Sequence, residues 1–223
     1  MPGVRYVCTN GAHMEEAVAR GFAAQAVMVD MPVGRRQVSG GRRQGGAGYC
    51  VAAGTLEPRK NYARVAEIAA ALGVTTRVYG APVSPEARDI VDASPWLKRM
   101  GAAPHEAVLE DLAGAEFLLH AARTEGRPTA VLEAMGLGVP VIVPDLPLYR
   151  EFVDPVRNVL LDPARPVAEQ LAGFDLETLR SPENREALEA ETQAKYGLEA
   201  FKRQLEELLS PREACRKRGA PHA

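Results

Sequence analysis

The sequence predicts an α/β fold: a Rossmann-like parallel sheet with helices on both faces, a small N-terminal βαβ unit and C-terminal helices. Two observations carry this. From residue 49 onward short apolar runs alternate with helix-length stretches, and several of those runs are apolar throughout rather than at every second position. A strand that is apolar on both sides needs cover on both sides, which helices flanking a parallel sheet provide.

The elements follow in order. Strands are expected at 49–53 (YCVAA), 75–79 (TTRVY), 96–100 (WLKRM), 116–120 (EFLLH), 140–143 (PVIV) and 158–161 (NVLL). Helices are expected between them at 61–72, 85–93, 104–112 and 129–137, and a turn around 146–153 precedes the last strand. In such sheets ligands bind beyond the carboxyl ends of the strands, so the loops at 54–60, 80–83, 121–129 and 144–149 should gather there.

Upstream, strand-like runs at 4–8 and 25–30 flank a helical stretch at 13–20, giving one βαβ unit over residues 1–33. Residues 34–47 contain Gly34-Arg35-Arg36-Gln37 and Gly41-Arg42-Arg43-Gln44. They read as a flexible linker rather than a nucleic-acid arm, because no aromatic stacking partners accompany the arginines. The domain proper is expected over 48–196, and a helix with a basic tail over 197–223. Within 167–209, which reads as helical, Leu198, Phe201, Leu205, Leu208 and Leu209 form an apolar stripe. The N-terminal unit is the expected cover for it.

Composition narrows the function. The 223 residues are 46% hydrophobic, and 27 Lys+Arg stand against 29 Asp+Glu. This balance gives no general attraction to nucleic acid or an anionic membrane. Arg212, Arg216, Lys217 and Arg218 leave peripheral membrane contact open, although such a run is usually a solvated tail. Cys8, Cys50 and Cys215 follow no metal-ligand spacing and fit a reducing cytosol, with the first two read as small core residues. No stretch approaches the ~20 apolar residues of a membrane span. A soluble cytoplasmic protein without a metal is the expectation.

Residues 125–140 (EGRPTAVLEAMGLGVP) carry the chemistry. Glu133 is the only charged residue between Ala130 and Ile142. About one turn into a helix opening near Thr129, its carboxylate would stand among apolar residues and need hydrogen-bond partners. A ribose diol could satisfy both oxygens; pairing with Lys60 or an arginine, or bonding to backbone donors, would do so equally well. Glu125 lies in the loop before that helix, and Gly126 lets the backbone approach a ligand closely. The amides of residues 127–130 could face a phosphate, except that Pro128 has none to donate.

This run, with glutamates eight positions apart, closely resembles the E-x7-E signature of retaining GT-B glycosyltransferases of the family-4 group. The stretch Gly54-Thr55-Leu56-Glu57-Pro58-Arg59-Lys60-Asn61 is similar to that group's G-R-x-x-x-x-K-G loop, and residues 158–163 to its N-G-x-L-V-x-P run. The resemblance covers about 48–163 and implies the C-terminal, donor-binding half of a GT-B fold. It implies that Glu133 holds the ribose hydroxyls, that Glu125 contacts the donor sugar as the catalytic residue, and that Lys60 neutralises the diphosphate. The backbone of Gly126 to Thr129 would add donors, and Met100 and Gly101 would lie against the base. The donor would be a UDP-, GDP- or ADP-sugar, with no other cofactor.

The departures define what remains open. The group's loop arginine falls at Thr55, and Arg59 or Arg127 is the candidate replacement. Residues 1–33 resemble only the last strand-helix-strand of an acceptor domain, so a partner chain or a homo-oligomer is expected to supply the acceptor site. His13, His105, His120 and His222 have no context that assigns them a role. A non-catalytic nucleotide-sugar-binding module and a GT-B-like sugar-nucleotide epimerase are the alternative functions.

Overall fold

The computed structural model describes residues 6–8, 11–22, 26–28, 32–34 and 48–209. The arginine-rich linker, Cys215, His222 and the basic tail lie outside the described residues. At the N-terminus β1 (Tyr6–Cys8), α1 (Gly11–Ala19) and β2 (Ala26–Met28) form the expected βαβ unit, with β1 and β2 paired in parallel.

The main sheet has six strands: β3 (Tyr49–Ala53), β4 (Thr75–Tyr79), β5 (Leu97–Gly101), β6 (Leu118–Leu119), β7 (Val141–Pro144) and β8 (Val159–Leu161). Their order is β5-β4-β3-β6-β7-β8, and every pairing is parallel. The assigned part of β6 is shorter than the apolar run implies. Hydrogen bonds from Glu116 N to Tyr49 O and from His120 N to Ile142 O nevertheless continue its ladder to both ends of that run.

Two cores explain why several strands are apolar throughout. Tyr49, Val51 and Leu118 point into one core with Leu109 and Leu112 of α4 (His105–Gly114), Val131 and Met135 of α5 (Thr129–Gly136), and Leu188 of α9 (Pro182–Tyr196). Cys50, Ala52, Phe117 and Leu119 point into the other. There they meet Val65 and Ile68 of α2 (Tyr62–Leu72), Val91 of α3 (Pro85–Ala93) and Leu171 of α7 (Val167–Leu171). Successive residues alternate between two buried faces, as the strand period requires. Burial pushes the Cys50 thiol up to about 12, with nearby Glu116 adding to the rise, in keeping with a packing role.

Some boundaries differ from expectation for identifiable reasons. α2 starts at Tyr62 because Asn61 adopts a left-handed conformation (φ 55°) between it and a 3₁₀ turn at Pro58–Lys60. The expected turn at 146–153 contains a short helix, α6 (Pro147–Arg150), opened by its proline. The helical C-terminal region divides into α7, α8 (Leu176–Arg180), α9 and α10 (Leu198–Leu209). Among the described residues the principal packing partner of α10 is α9 rather than the N-terminal unit, and Leu198 of its apolar stripe stays exposed. Val33 links the N-terminal segment to this region: its amide donates to Tyr196 O at 2.7 Å, and its side chain packs where a Cβ on Gly136 would stand.

Candidate functional site

The strand order reverses between β3 and β6, the topological switch point of the sheet. Loops leaving two such strands diverge to opposite sides and open a crevice at their carboxyl ends. Here the loops are stitched together by backbone bonds. Gly54 N donates to Tyr79 O, Leu56 N to Ala81 O, Gly80 N to Gly101 O, and Arg123 N to Arg59 O, each at 2.9 Å. The Gly54–Gly80 approach is so close that a Cβ on Gly80 would lie 1.9 Å from Gly54 O. With φ at +151°, Gly80 also has a backbone that other residues rarely adopt. Tyr62 closes the arrangement from α2, donating its hydroxyl hydrogen to Gly54 O at 2.8 Å.

Glu125 stands at the centre of this crevice. Lys60 Nζ donates to its Oε1 and Arg59 Nη1 donates to its Oε2 at 2.9 Å. Adjacent residues rarely aim at one target, but the 3₁₀ turn and left-handed Asn61 turn both side chains toward the β6 loop. Arg59 also pairs with Glu57 at 2.8 Å, and Thr55 Oγ1 donates to the same Glu57 carboxylate at 2.5 Å. Thr55, where an arginine would be expected, thus helps orient the acid that braces Arg59.

The charge state of Glu125 follows from these neighbours. Burial raises its pKa, but the Lys60 and Arg59 cations outweigh it and hold the carboxyl at about 2. Glu125 is therefore a carboxylate at ordinary pH, able to accept hydrogen bonds or stabilise positive charge but not to donate a proton. His120 ends the β6 run with only 5% of its surface exposed, and burial lowers its pKa, leaving the imidazole neutral. Its Nε2 lies 3.6 Å from Glu125 Oε1, beyond hydrogen-bond range, and has no partner among the described residues. Sequence reasoning missed this histidine, since nothing around position 120 marks it beyond the end of an apolar run.

Glu133 sits one turn into α5, between buried Leu132 and buried Ala134. Its side chain is 28% exposed, so it reaches the surface rather than lying within the apolar interior. Among the described residues neither Lys60 nor an arginine engages it. Its partner is His105, the first residue of α4, whose Nε2 lies 2.8 Å from Glu133 Oε1. Among the described residues no hydrogen bond reaches Oε2.

The other candidates divide. Gly126 and Thr129 are exposed at the start of α5. Met100, with 39% of its surface exposed, and Gly101 end β5 on the same rim. Arg127 differs from its expected role as a replacement cation: its guanidinium lies 4.8 Å from the Phe152 ring centre and 5.4 Å from that of Tyr196. This aromatic seat holds the charge between Phe152, just after α6, and Tyr196 at the end of α9. A cavity of about 270 Å³ opens beside the cluster, between Asn61 and Arg64 of the α2 side and Ala122, Arg123 and Leu146. Neither Glu125 nor Glu133 lines it. Among the described residues no group of three or more His, Cys, Asp or Glu side chains could hold a metal ion, and no helix is long and apolar enough to cross a membrane.

Comparison with known proteins agrees with this architecture. The model of the family described as glycosyl transferases group 1 matches residues 47–173. No curated protein matches the chain. Among solved structures, a mutant of S. aureus TarM, in complex with fondaparinux, alpha-GlcNAc-glycerol and UDP, superposes with a TM-score of 0.73 at 13% identity, over 92% of this chain and 43% of that one. Sucrose-phosphate synthase of Thermosynechococcus elongatus gives 0.72 at 18% identity, over 93% of this chain and 58% of that one. Anabaena HepE, in complex with UDP and glucose, gives 0.71 at 16% identity, over 92% and 62%. The fold is that of the C-terminal half of a GT-B protein, and the chain spans about half the length of these neighbours.

Proposed function

We propose that this chain, which belongs to the glycosyl transferases group 1 family, binds a nucleoside-diphosphate sugar at the β3–β6 crevice for retaining transfer of the sugar to an acceptor. The observation that carries the reading is the meeting of Lys60, Arg59 and Glu125 at the switch point, with Glu133 on the helix that follows Glu125. Glu133 takes the ribose hydroxyls through Oε2, the oxygen that no described residue hydrogen-bonds. Lys60 takes the diphosphate, with Arg59 as the second cation in place of the arginine absent at Thr55. The amides of Gly126, Arg127 and Thr129 lie at the start of α5, where a helix N-terminus favours an anion. Met100 and Gly101 border the base.

The chemistry follows from charge. As the bond between the sugar and the diphosphate breaks, the leaving oxygens gain negative charge and the anomeric carbon gains positive charge. Lys60 and Arg59 stabilise the first, and the carboxylate of Glu125, which cannot act as a proton donor, suits the donor-sugar side. Binding requires the two cations to turn from Glu125 to phosphate, and His120 stands beside Glu125 as a polar neighbour for the released carboxylate. Reactants must be held together for transfer, and a partner chain or a second copy is the proposed source of the acceptor site. UDP in the TarM and HepE complexes supports a nucleotide ligand at this kind of fold.

The test is thermal unfolding with UDP, GDP and ADP. At least one raises the melting temperature, and Glu133→Ala removes the rise; three nucleotides without effect would overturn the proposal. A second reading, a nucleotide-sugar-binding module without turnover, is favoured by one observation: Glu125 engages both cations. Formation of a labelled glycoside from radiolabelled donor excludes it.

A further inference from the structure

His105 offers a specificity role that the proposed function does not include. It opens α4, with over half of its side chain exposed, and directs Nε2 to Glu133 Oε1 at 2.8 Å. An ionised carboxylate only accepts hydrogen bonds, so Nε2 carries the proton and donates. A glutamate side chain has three rotatable bonds, and one that is partly exposed on the first turns of a helix samples several rotamers unless something fixes it. Nothing else in the described structure does so. Lys60 and Arg59 are committed to Glu125, and Glu133 is the only charged residue of α5.

The bond uses one carboxylate oxygen and leaves the other, together with a remaining lone pair on the first. That is the acceptor set for two adjacent hydroxyls. We propose that His105 is a positioning residue that fixes the Glu133 carboxylate for a vicinal diol, and so makes this site select ribonucleotides over 2′-deoxyribonucleotides. The inference rests on the reading of Glu133 as the ribose acceptor. His105 itself touches no substrate; it acts by removing a rotameric search that the ligand would otherwise have to end. α4 packs against α5 and β3, and β3 presents no charged residue, so Glu133 is the charged group facing the imidazole from those neighbours, with Glu106 beside it on α4.

The experiment measures dissociation constants by calorimetry for UDP, GDP and ADP, each beside its 2′-deoxy counterpart. It uses the full chain, His105→Ala and His105→Gln. The wild type prefers the ribonucleotide. His105→Ala weakens ribonucleotide binding by about tenfold, the scale of one hydrogen bond to a charged group, and leaves the deoxy form nearly unchanged, so the preference collapses. Glutamine can donate an N–H from a similar distance and restores most of the preference. Because His105 is exposed, melting temperatures of the variants should match that of the wild type. A preference that survives in His105→Ala, an equal loss for both sugars, or a wild type that binds both alike would each overturn the positioning role. A wild type that binds none of the nucleotides defeats the proposed function itself, which is a separate outcome.

Discussion

Replacing Glu125 by glutamine keeps the shape of the side chain and removes the charge that Lys60 and Arg59 hold. The carboxyl is held at about 2 against an ordinary value of 4.5. At ~1.4 kcal/mol per unit, that gap corresponds to at most about 3.5 kcal/mol of stability at neutral pH. The Glu125 and Lys60 side chains are 9% and 14% exposed, so their pairing keeps most of its strength, but Arg59 is 42% exposed and its share is reduced by solvent. A loss of about 2 kcal/mol for Glu125→Gln at pH 7 is therefore expected, or roughly 4–8 °C in melting temperature for a chain of this size. The sign of the pH dependence is fixed. Because the folded value lies below the unfolded one, the contribution is complete above the unfolded value and disappears as pH falls from about 4.5 toward 2. Urea unfolding of both proteins at pH 7 and pH 3 reads this directly, with the difference at pH 3 expected to shrink to less than about half. An equal deficit at the two pH values would show that shape rather than charge matters. No deficit at pH 7 would show that the cluster does not hold the loops.

Two further substitutions test the frame around the site. Gly80→Ala places a methyl 1.9 Å from Gly54 O, and the two loops must separate to admit it. A loss of about 3 kcal/mol or more is expected from urea unfolding, and a neutral outcome would refute the close approach. Arg127→Met removes the cation from the Phe152 and Tyr196 rings and should cost about 1 kcal/mol. The rise in melting temperature caused by nucleotide should persist in it, whereas its loss would return Arg127 to the phosphate.

Much of this was legible before any coordinates. β3 coincides with the apolar run that announced it, because a strand buried on both faces admits little else, and β4 has the expected bounds although Thr75 is exposed. The glutamate pair was legible through its spacing and the glycine beside it. What escaped the sequence depends on backbone geometry or on contacts between distant elements. The convergence of Arg59 and Lys60 on Glu125 needs a 3₁₀ turn ended by a left-handed Asn61, which no local composition specifies. His105 meets Glu133 from another helix, and a single histidine at a helix start carries no periodic signal. Arg127 reads as a free cation until the fold brings Phe152 and Tyr196 beneath it. Glu133 was expected deep among apolar neighbours; its side chain is 28% exposed and meets His105 at the start of α4.

The central claim is that the carboxylates and cations at the β3–β6 switch point form one nucleotide site. A crystal structure of the chain soaked with UDP, GDP or ADP tests it most directly. The account predicts ribose hydroxyls on Glu133 with the His105 contact retained, and phosphate oxygens on Lys60 after it has left Glu125. A nucleotide bound elsewhere, with Lys60 still on Glu125 and Glu133 touching only His105, would contradict it.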